Sequence, residues 1–157
     1  MKKDIFIDTN IAKNFSNPMD PEYKKLIRWL EYNGQPNEED NAHLVVSYKL
    51  LGEYSRTCGH SLGTNNIIAI ISQMTKDGRL VKIKNQQIKD FQKTHFTKKV
   101  GKKLLSNHED RDHIPVVLLS DRQYALSRDD NLIHDLRNFP KSNVRVEKRP
   151  EKLPYDD

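Results

Sequence analysis

Short apolar runs alternate with helix-length segments along nearly the whole chain, and this alternation limits the fold more than any other feature. Ile5–Ile7 and residues 43–47 (HLVVS), 80–84 (LVKIK), 124–127 (YALS) and 143–148 (NVRVEK) are short runs of strand character. Between the first two lies PEYKKLIRWLEYNG. It has Pro21 at the first helical position, Gly34 as a stop, and Tyr23, Leu26, Ile27 and Leu30 at helical spacing. GQPNEEDNA then reads as a loop, and a helix from Tyr48 is expected to end at Gly59. NNIIAIISQMTKDG is too long for a buried strand and predicts a helix closed by Gly78. Residues 86–107 are polar and basic and predict one or two helices. DHIPVVLLSD predicts a buried helix, and DDNLIHDLRNF a helix stopped by Pro140. Such a pattern predicts an α/β domain with a central, mostly parallel sheet and helices on both faces. We place that domain at residues 1–148. RPEKLPYDD, with two prolines, is expected to form an irregular tail over 149–157.

At 157 residues the chain suits one domain with a real core. Lys and Arg number 27 against 22 Asp and Glu, so the net charge of +5 permits a polyanionic partner without requiring one. Cys58 is the sole cysteine, which excludes an intrachain disulfide and a cysteine-built zinc site. A reducing, cytoplasmic setting is expected, and no apolar run has the length of a membrane span.

The first strand raises the functional question, because Ile5-Phe6-Ile7 runs directly into Asp8-Thr9-Asn10. Each residue of that triplet could simply cap the following helix. Glu53 could be a solvated helix residue paired with Arg56, and Asp112, Asp129 or Asp130 could be further caps. Taken together they read differently. In a parallel sheet, ligands bind beyond the carboxyl ends of the strands. Asp8 follows one strand and Asp129 another, Asp112 opens a buried helix, and Glu53 lies on the helix after the second strand. Carboxylates gathered at one rim repel unless a cation joins them, and hard oxygen ligands suit Mg²⁺ or Mn²⁺. Such an ion polarises a phosphate oxygen, acidifies water and steadies a leaving alkoxide, which is the chemistry of phosphodiester hydrolysis.

These residues also resemble a known family. IFIDTN, LLGEYSR, EDRDHIPVVLLS and LSRDDNLI occur in the order and setting of the motifs of PIN-domain ribonucleases, including VapC-like toxins. The resemblance implies a PIN-like domain and a metal-dependent endoribonuclease whose catalytic, metal-holding acids are Asp8, Glu53, Asp112 and Asp129. Asn10, Ser127 and Asp130 would support them, Ser127 standing where the family has threonine. For the third acid, Asp110 and Asp112 compete. Proline is tolerated only in the first helical turn, and a cap at Asp112 puts Pro115 at the third position, so Asp112 is preferred. The apolar VVLL after this acid departs from the small residues usual in the family. The resemblance further implies the toxin of a toxin–antitoxin or phage-defence system, an antitoxin protein as partner, and a family habit of forming homodimers.

KKVGKK holds the densest positive charge, and Lys98, Lys99, Lys102 and Lys103 are expected to border the RNA path. A merely solvated helix face is the alternative. Arg56, Arg111, Arg122 and Arg128 lie near the acids in sequence. The six histidines, including His108, His113 and His134, show no zinc spacing, and we expect surface or supporting roles. No glycine-rich phosphate loop is present. Two other classes were weighed. A catalytically weak PIN-like RNA-binding scaffold would not need its acids to converge. A haloacid dehalogenase-type phosphatase needs Asp-x-Asp after the first strand, and Asn10 breaks that pattern.

Overall fold

The computed structural model describes residues 2–16, 19–31, 41–58 and 66–157. Five strands, β1 (Lys3–Ile7), β2 (Ala42–Val46), β3 (Leu80–Lys82), β4 (Tyr124–Leu126) and β5 (Arg145–Glu147), form one sheet in the order β3-β2-β1-β4-β5. Each neighbouring pair is parallel, so the sheet expected to be mostly parallel is wholly so among the described residues. β1 lies at its centre, and Ile5, Phe6 and Ile7 are completely buried, which is why this strand is apolar on both faces rather than alternating.

Eight α-helices accompany the strands among the described residues: α1 (Thr9–Ala12), α2 (Pro21–Glu31), α3 (Tyr48–Cys58), α4 (Ile67–Lys76), α5 (Asn85–His95), α6 (Lys98–Gly101), α7 (His113–Leu118) and α8 (Asp130–Asn138). α2, α3 and α4 pack together, with α2 and α4 against β2, whereas α7 lies on β1 and β2, α8 on β5, and α5 on α7. Right-handed crossovers put the first group on one face of the sheet and the second on the other. The chain leaves β1 toward β2 on one side, and later places β4 on the other side. The carboxyl end of β1 is therefore a topological switch point, where open α/β sheets form their crevice.

Local chemistry explains the element boundaries. Pro21 begins α2, where its missing N–H costs nothing, and Asp20 accepts a bond from the Glu22 amide at 3.0 Å. Tyr23, Leu26, Ile27 and Leu30 form its buried face, as their spacing predicts. α4 ends at Gly78 with φ of 69°, a conformation that favours glycine. The Gly78 amide donates to Thr75 O at 3.2 Å and the Arg79 amide to Met74 O at 2.8 Å, the two bonds of a Schellman turn. The stops expected at Gly34 and Gly59, and most of the loop expected at residues 34–42, lie outside the described residues. The basic stretch forms two helices because Thr97 caps α6, its hydroxyl accepting from the Val100 amide at 3.2 Å. β3 is shorter than its apolar run, although the buried Ile83 still donates to Val46 O at 2.8 Å. Pro140 forces Phe139 into an extended conformation, which ends α8.

The final residues contain a 3₁₀ turn (Pro150–Lys152) but are docked rather than loose. Leu153 and Tyr155 join the core, and Arg122 donates to the carbonyl of Tyr155 and, at 3.2 Å, to that of Asp157. Arg122 thus serves the amino-terminal edge of the sheet, where buried Asp4 accepts from the amides of Asp121 and Arg122 at 3.0 and 2.9 Å. It is far from the acids it neighbours in sequence number. Among the described residues, no helix is long and apolar enough to cross a membrane.

The Gly78 turn gives a direct test of this reading. A Cβ at Gly78 would meet nothing within 4 Å, so the cost of Gly78→Ala is that of the left-handed backbone alone. We expect a loss of about 1 kcal/mol in urea unfolding, with the slope unchanged.

Candidate metal centre

The site is built on hydrogen bonds that continue the sheet past its formal strand ends. The Asp8 amide donates to Leu126 O at 2.9 Å, and the Ser127 amide to Glu147 O at 3.1 Å. These bonds hold the residue after β1 beside the residue after β4. Asp8 is 8% exposed and caps α1, accepting from the Thr9 amide at 2.8 Å through Oδ1. Its Oδ2 accepts from Ser127 Oγ at 2.6 Å and from Asn10 Nδ2 at 3.2 Å. The capping reading of Asp8 is therefore correct but incomplete, because one oxygen caps while the other faces β4. Asn10 also accepts from the Arg128 amide at 3.0 Å, tying α1 to the loop after β4.

Glu53 comes from α3, which follows β2. The fully buried Tyr54 donates its hydroxyl to Ile7 O, pinning this helix to the end of β1. Thr9 Oγ1 donates to Glu53 Oε2 at 3.1 Å, so the residue after Asp8 holds the second acid. His113, at the start of α7, is 2% exposed, and its Nε2 lies 3.1 Å from both Glu53 oxygens. Its Nδ1 is buried and has no hydrogen-bond partner among the described residues. Leaving a lone pair unmatched is cheaper than leaving an N–H unmatched, which assigns the proton to Nε2, donating to Glu53. Burial works against the Glu53 carboxylate, but the bond from His113 and the bond from Thr9 outweigh it, and its pKa lies below the ordinary 4.5.

One donor atom each from Asp8, Glu53 and His113 lies within 4.8 Å of the others. Two carboxylates at this spacing suit a hard divalent cation, and His113, whose Nε2–H is given to Glu53, orients that acid. Asp129 caps α8, its Oδ1 accepting from the amides of Asn131 and Leu132 at 2.9 and 3.3 Å. Ser127 Oγ accepts from the Asp129 amide at 3.1 Å while donating to Asp8, so one buried hydroxyl links the two acids. Asp130 points elsewhere and pairs with Lys148 at 2.6 Å.

Asp110 and Asp112 differ sharply in surroundings. Asp112 accepts from Gln92 Nε2 at 2.8 Å and Lys49 Nζ at 3.0 Å, and despite burial these bonds draw its pKa down. It precedes α7 but makes no side-chain cap. A 3₁₀ turn over Asp110–Asp112 leads into α7, so the helical winding begins before Asp112, and Pro115 still falls at the third α-helical position. Asp110 has no cationic partner within salt-bridge distance among the described residues. Burial raises its pKa first, and the negative fields of Asp129, Asp8 and Glu53 add to that effect against the opposing His113. Asp110 is the one that shares an electrostatic environment with the other three acids.

Sequence reasoning left out Thr9, Lys49, Tyr54 and the bond that His113 makes. For His113 a signal existed: it is the lone polar residue at the head of HIPVVL, a run that is almost wholly buried. A polar group so placed needs a partner. Among the basic residues, Arg111 is occupied with the carbonyls of Ser106 and Leu104 at 2.9 and 3.4 Å. Lys98 and Lys99 lie on α6, Lys102 and Lys103 follow it, and none of the four pairs with a carboxylate among the described residues.

Comparison with known proteins places the fold. No family model matches the chain, and no curated protein matches it in sequence. A solved structure does resemble it: the crystal structure of VapBC2 from Rickettsia felis bound to a DNA fragment from their promoter. The match covers 93% of this chain and 98% of the other, with a TM-score of 0.55 and 15% identity. The similarity supports the expected PIN-like fold.

The sign of the Glu53 shift gives a prediction. A carboxyl held below its unfolded pKa stabilises the fold above that value and loses the contribution as pH falls through the folded one. In EDTA, the difference in urea-unfolding stability between wild type and Glu53→Gln should be fully present above the ordinary carboxyl value of 4.5 and shrink as the pH falls below it. A difference independent of pH would contradict the assigned bonding.

Proposed function

We propose that this protein is a divalent-metal-dependent endoribonuclease that hydrolyses RNA phosphodiester bonds. The carrying observation is the convergence of Asp8, Glu53 and His113 donor atoms within 4.8 Å at the switch point of a PIN-like sheet. Asp8, Glu53, Asp110 and Asp129 would hold Mg²⁺ or Mn²⁺, with Asp110 rather than Asp112 as the third acid. When bound, the ion supplies positive charge for the phosphate oxygens and lowers the pKa of water at the site.

The chain's own groups do the positioning. Thr9 and His113 fix the two Glu53 oxygens, and Ser127 and Asn10 fix Asp8 Oδ2. These bonds set the ligand geometry before any ion arrives and reduce the cost of holding like charges together. Asp110, with its raised pKa and no cationic partner among the described residues, is the acid that gains most from a bound cation. Lys49 is held at the rim by Asp112 and the Glu109 carbonyl, at 3.0 and 2.5 Å, where its charge faces an approaching phosphate backbone.

The resemblance to VapC-like toxins, together with the fold match, supports reading the protein as the toxin of a toxin–antitoxin or phage-defence pair, with an antitoxin that covers the site. Convergence of the acids counts against a purely scaffolding role.

Incubation of purified protein with total RNA tests the proposal. Cleavage should occur with Mg²⁺ or Mn²⁺ and stop in EDTA. Asp8→Asn and Asp110→Asn should each cost at least about 10²-fold in rate, Asp112→Asn less than about tenfold, and His113→Asn about 10- to 100-fold. Cleavage that persists in EDTA or in Asp8→Asn would reject the mechanism, and a larger loss for Asp112→Asn than for Asp110→Asn would restore Asp112 as third acid.

A further inference from the structure

Between the segment after α6 and the outer face of α8 lies a half-open cavity of about 690 Å³. That volume is typical of sites that take an organic ligand. Its apolar lining comes from Val100, Leu104, Leu105, Phe139 and Pro140. Leu105 is 54% exposed, an unusual presentation for a large apolar side chain. Phe139 is braced from behind by the rings of Phe91 and Phe96, each with its centroid 5.8 Å away, so this wall is stiff.

Around the apolar lining stand Lys99, Lys102 and Lys103, none paired with a carboxylate among the described residues. Asp135 also borders the cavity, but both its oxygens are engaged by the amides of Leu105 and Ser106 at 2.8 Å, and His134 lies 3.4 Å from it. The cavity thus combines a net positive rim with an apolar interior. That suits a ligand with a flat apolar body and anionic linkages on either side.

Its place in the fold ties it to the metal centre. α8 begins at Asp129, and its residues His134 and Asn138 line the cavity. At 1.5 Å per residue they lie roughly 8 to 14 Å along the helix from Asp129, or about two to four stacked nucleotides. On the opposite wall, the carbonyl of Leu104 and, just beyond the lining, that of Ser106 accept from Arg111, which sits between Asp110 and Asp112. The cavity and the acidic loop are one braced unit.

We propose that this cavity is a nucleobase subsite for single-stranded RNA. It accepts one unstacked base a few nucleotides from the scissile phosphate, while Lys99, Lys102 and Lys103 hold the flanking phosphates. A base within a duplex cannot enter it, so the subsite selects unpaired RNA. This inference rests on the proposed ribonuclease reading and names the form of substrate that the site takes.

The test is fluorescence anisotropy of the full chain, in EDTA so that the proposed metal-dependent cleavage does not consume the probe, with a 5′-labelled single-stranded RNA octamer. Asn138 is an exposed α8 residue, and Asn138→Trp fills the cavity from its rim. We expect the octamer to bind this variant at least about fivefold more weakly, while an octamer of abasic nucleotides binds it as well as wild type. Leu105→Ser, at a position too exposed to threaten folding, should weaken octamer binding in the same direction. Lys102→Ala combined with Lys103→Ala should flatten the dependence of log K on log salt by about 1.4. Unchanged or tighter octamer binding by Asn138→Trp and Leu105→Ser would overturn the proposal. So would an acidic, leucine-bearing peptide that binds wild type and loses binding in Asn138→Trp while RNA binding is unaffected, since the cavity would then be a protein-docking groove. Cavity-dependent RNA binding in a protein that cleaves no RNA would uphold the subsite and reject the catalytic reading. Cleavage with cavity-independent binding would do the reverse.

Discussion

Two residue pairs, Phe6 with Ala125 and Ile7 with Leu126, join β1 to β4, and the arrangement of the acids depends on that short parallel ladder. It brings the carboxyl ends of two strands, more than a hundred residues apart in the chain, to the same level. The Asp8 amide extends the ladder by one bond to Leu126 O, and the Ser127 hydroxyl then reaches Asp8 Oδ2 at 2.6 Å. A slip of one residue would send the side chain of Asp8 to the other face of the sheet. Such a slip would also break the bonds that Asp4 accepts from the amides of Asp121 and Arg122 and the one that Asp8 accepts from Ser127.

Gathering carboxylates has an electrostatic cost, and the surrounding bonds show how it is offset without an ion. Asp8 accepts from Thr9, Asn10 and Ser127. Glu53 is held by Thr9 and His113, and Asp129 by two amides at the start of α8. Asp110 receives only unfavourable contributions from its acidic neighbours and burial, set against the single opposing field of His113. Three of these acids are held by hydrogen bonds, and Asp110 has its pKa raised by burial and by the other three. Asp112 is balanced by Lys49 and Gln92 and needs none.

The layered α/β fold was legible because it rests on periodicity: the buried β1 triplet, the α2 stripe of Tyr23, Leu26, Ile27 and Leu30, and the Gly78 stop each carry their own local signal. The convergence of Asp8 and Glu53 could be anticipated from strand order, since both follow neighbouring parallel strands. Side-chain direction was not legible where the backbone departs from regular winding. Pro115 does fall at the third α-helical position, but the 3₁₀ turn over Asp110–Asp112 that leads into α7 has no signature in the residue pattern. The partner of His113 was hidden for another reason: it lies 60 residues away on α3. The tail looked irregular because prolines and polar residues dominate it, yet its two large apolar residues, Leu153 and Tyr155, are buried in the core.

The central claim is that neighbouring strand ends and the elements that follow them gather carboxylates around a divalent cation. Electron paramagnetic resonance of free Mn²⁺ during titration with the protein measures this without reference to catalysis. Wild type should remove Mn²⁺ from solution stoichiometrically, and Asp8→Asn, which removes a charge at the centre, should lose most of that binding while its circular dichroism matches that of wild type. Equal Mn²⁺ uptake by the two proteins would contradict the account.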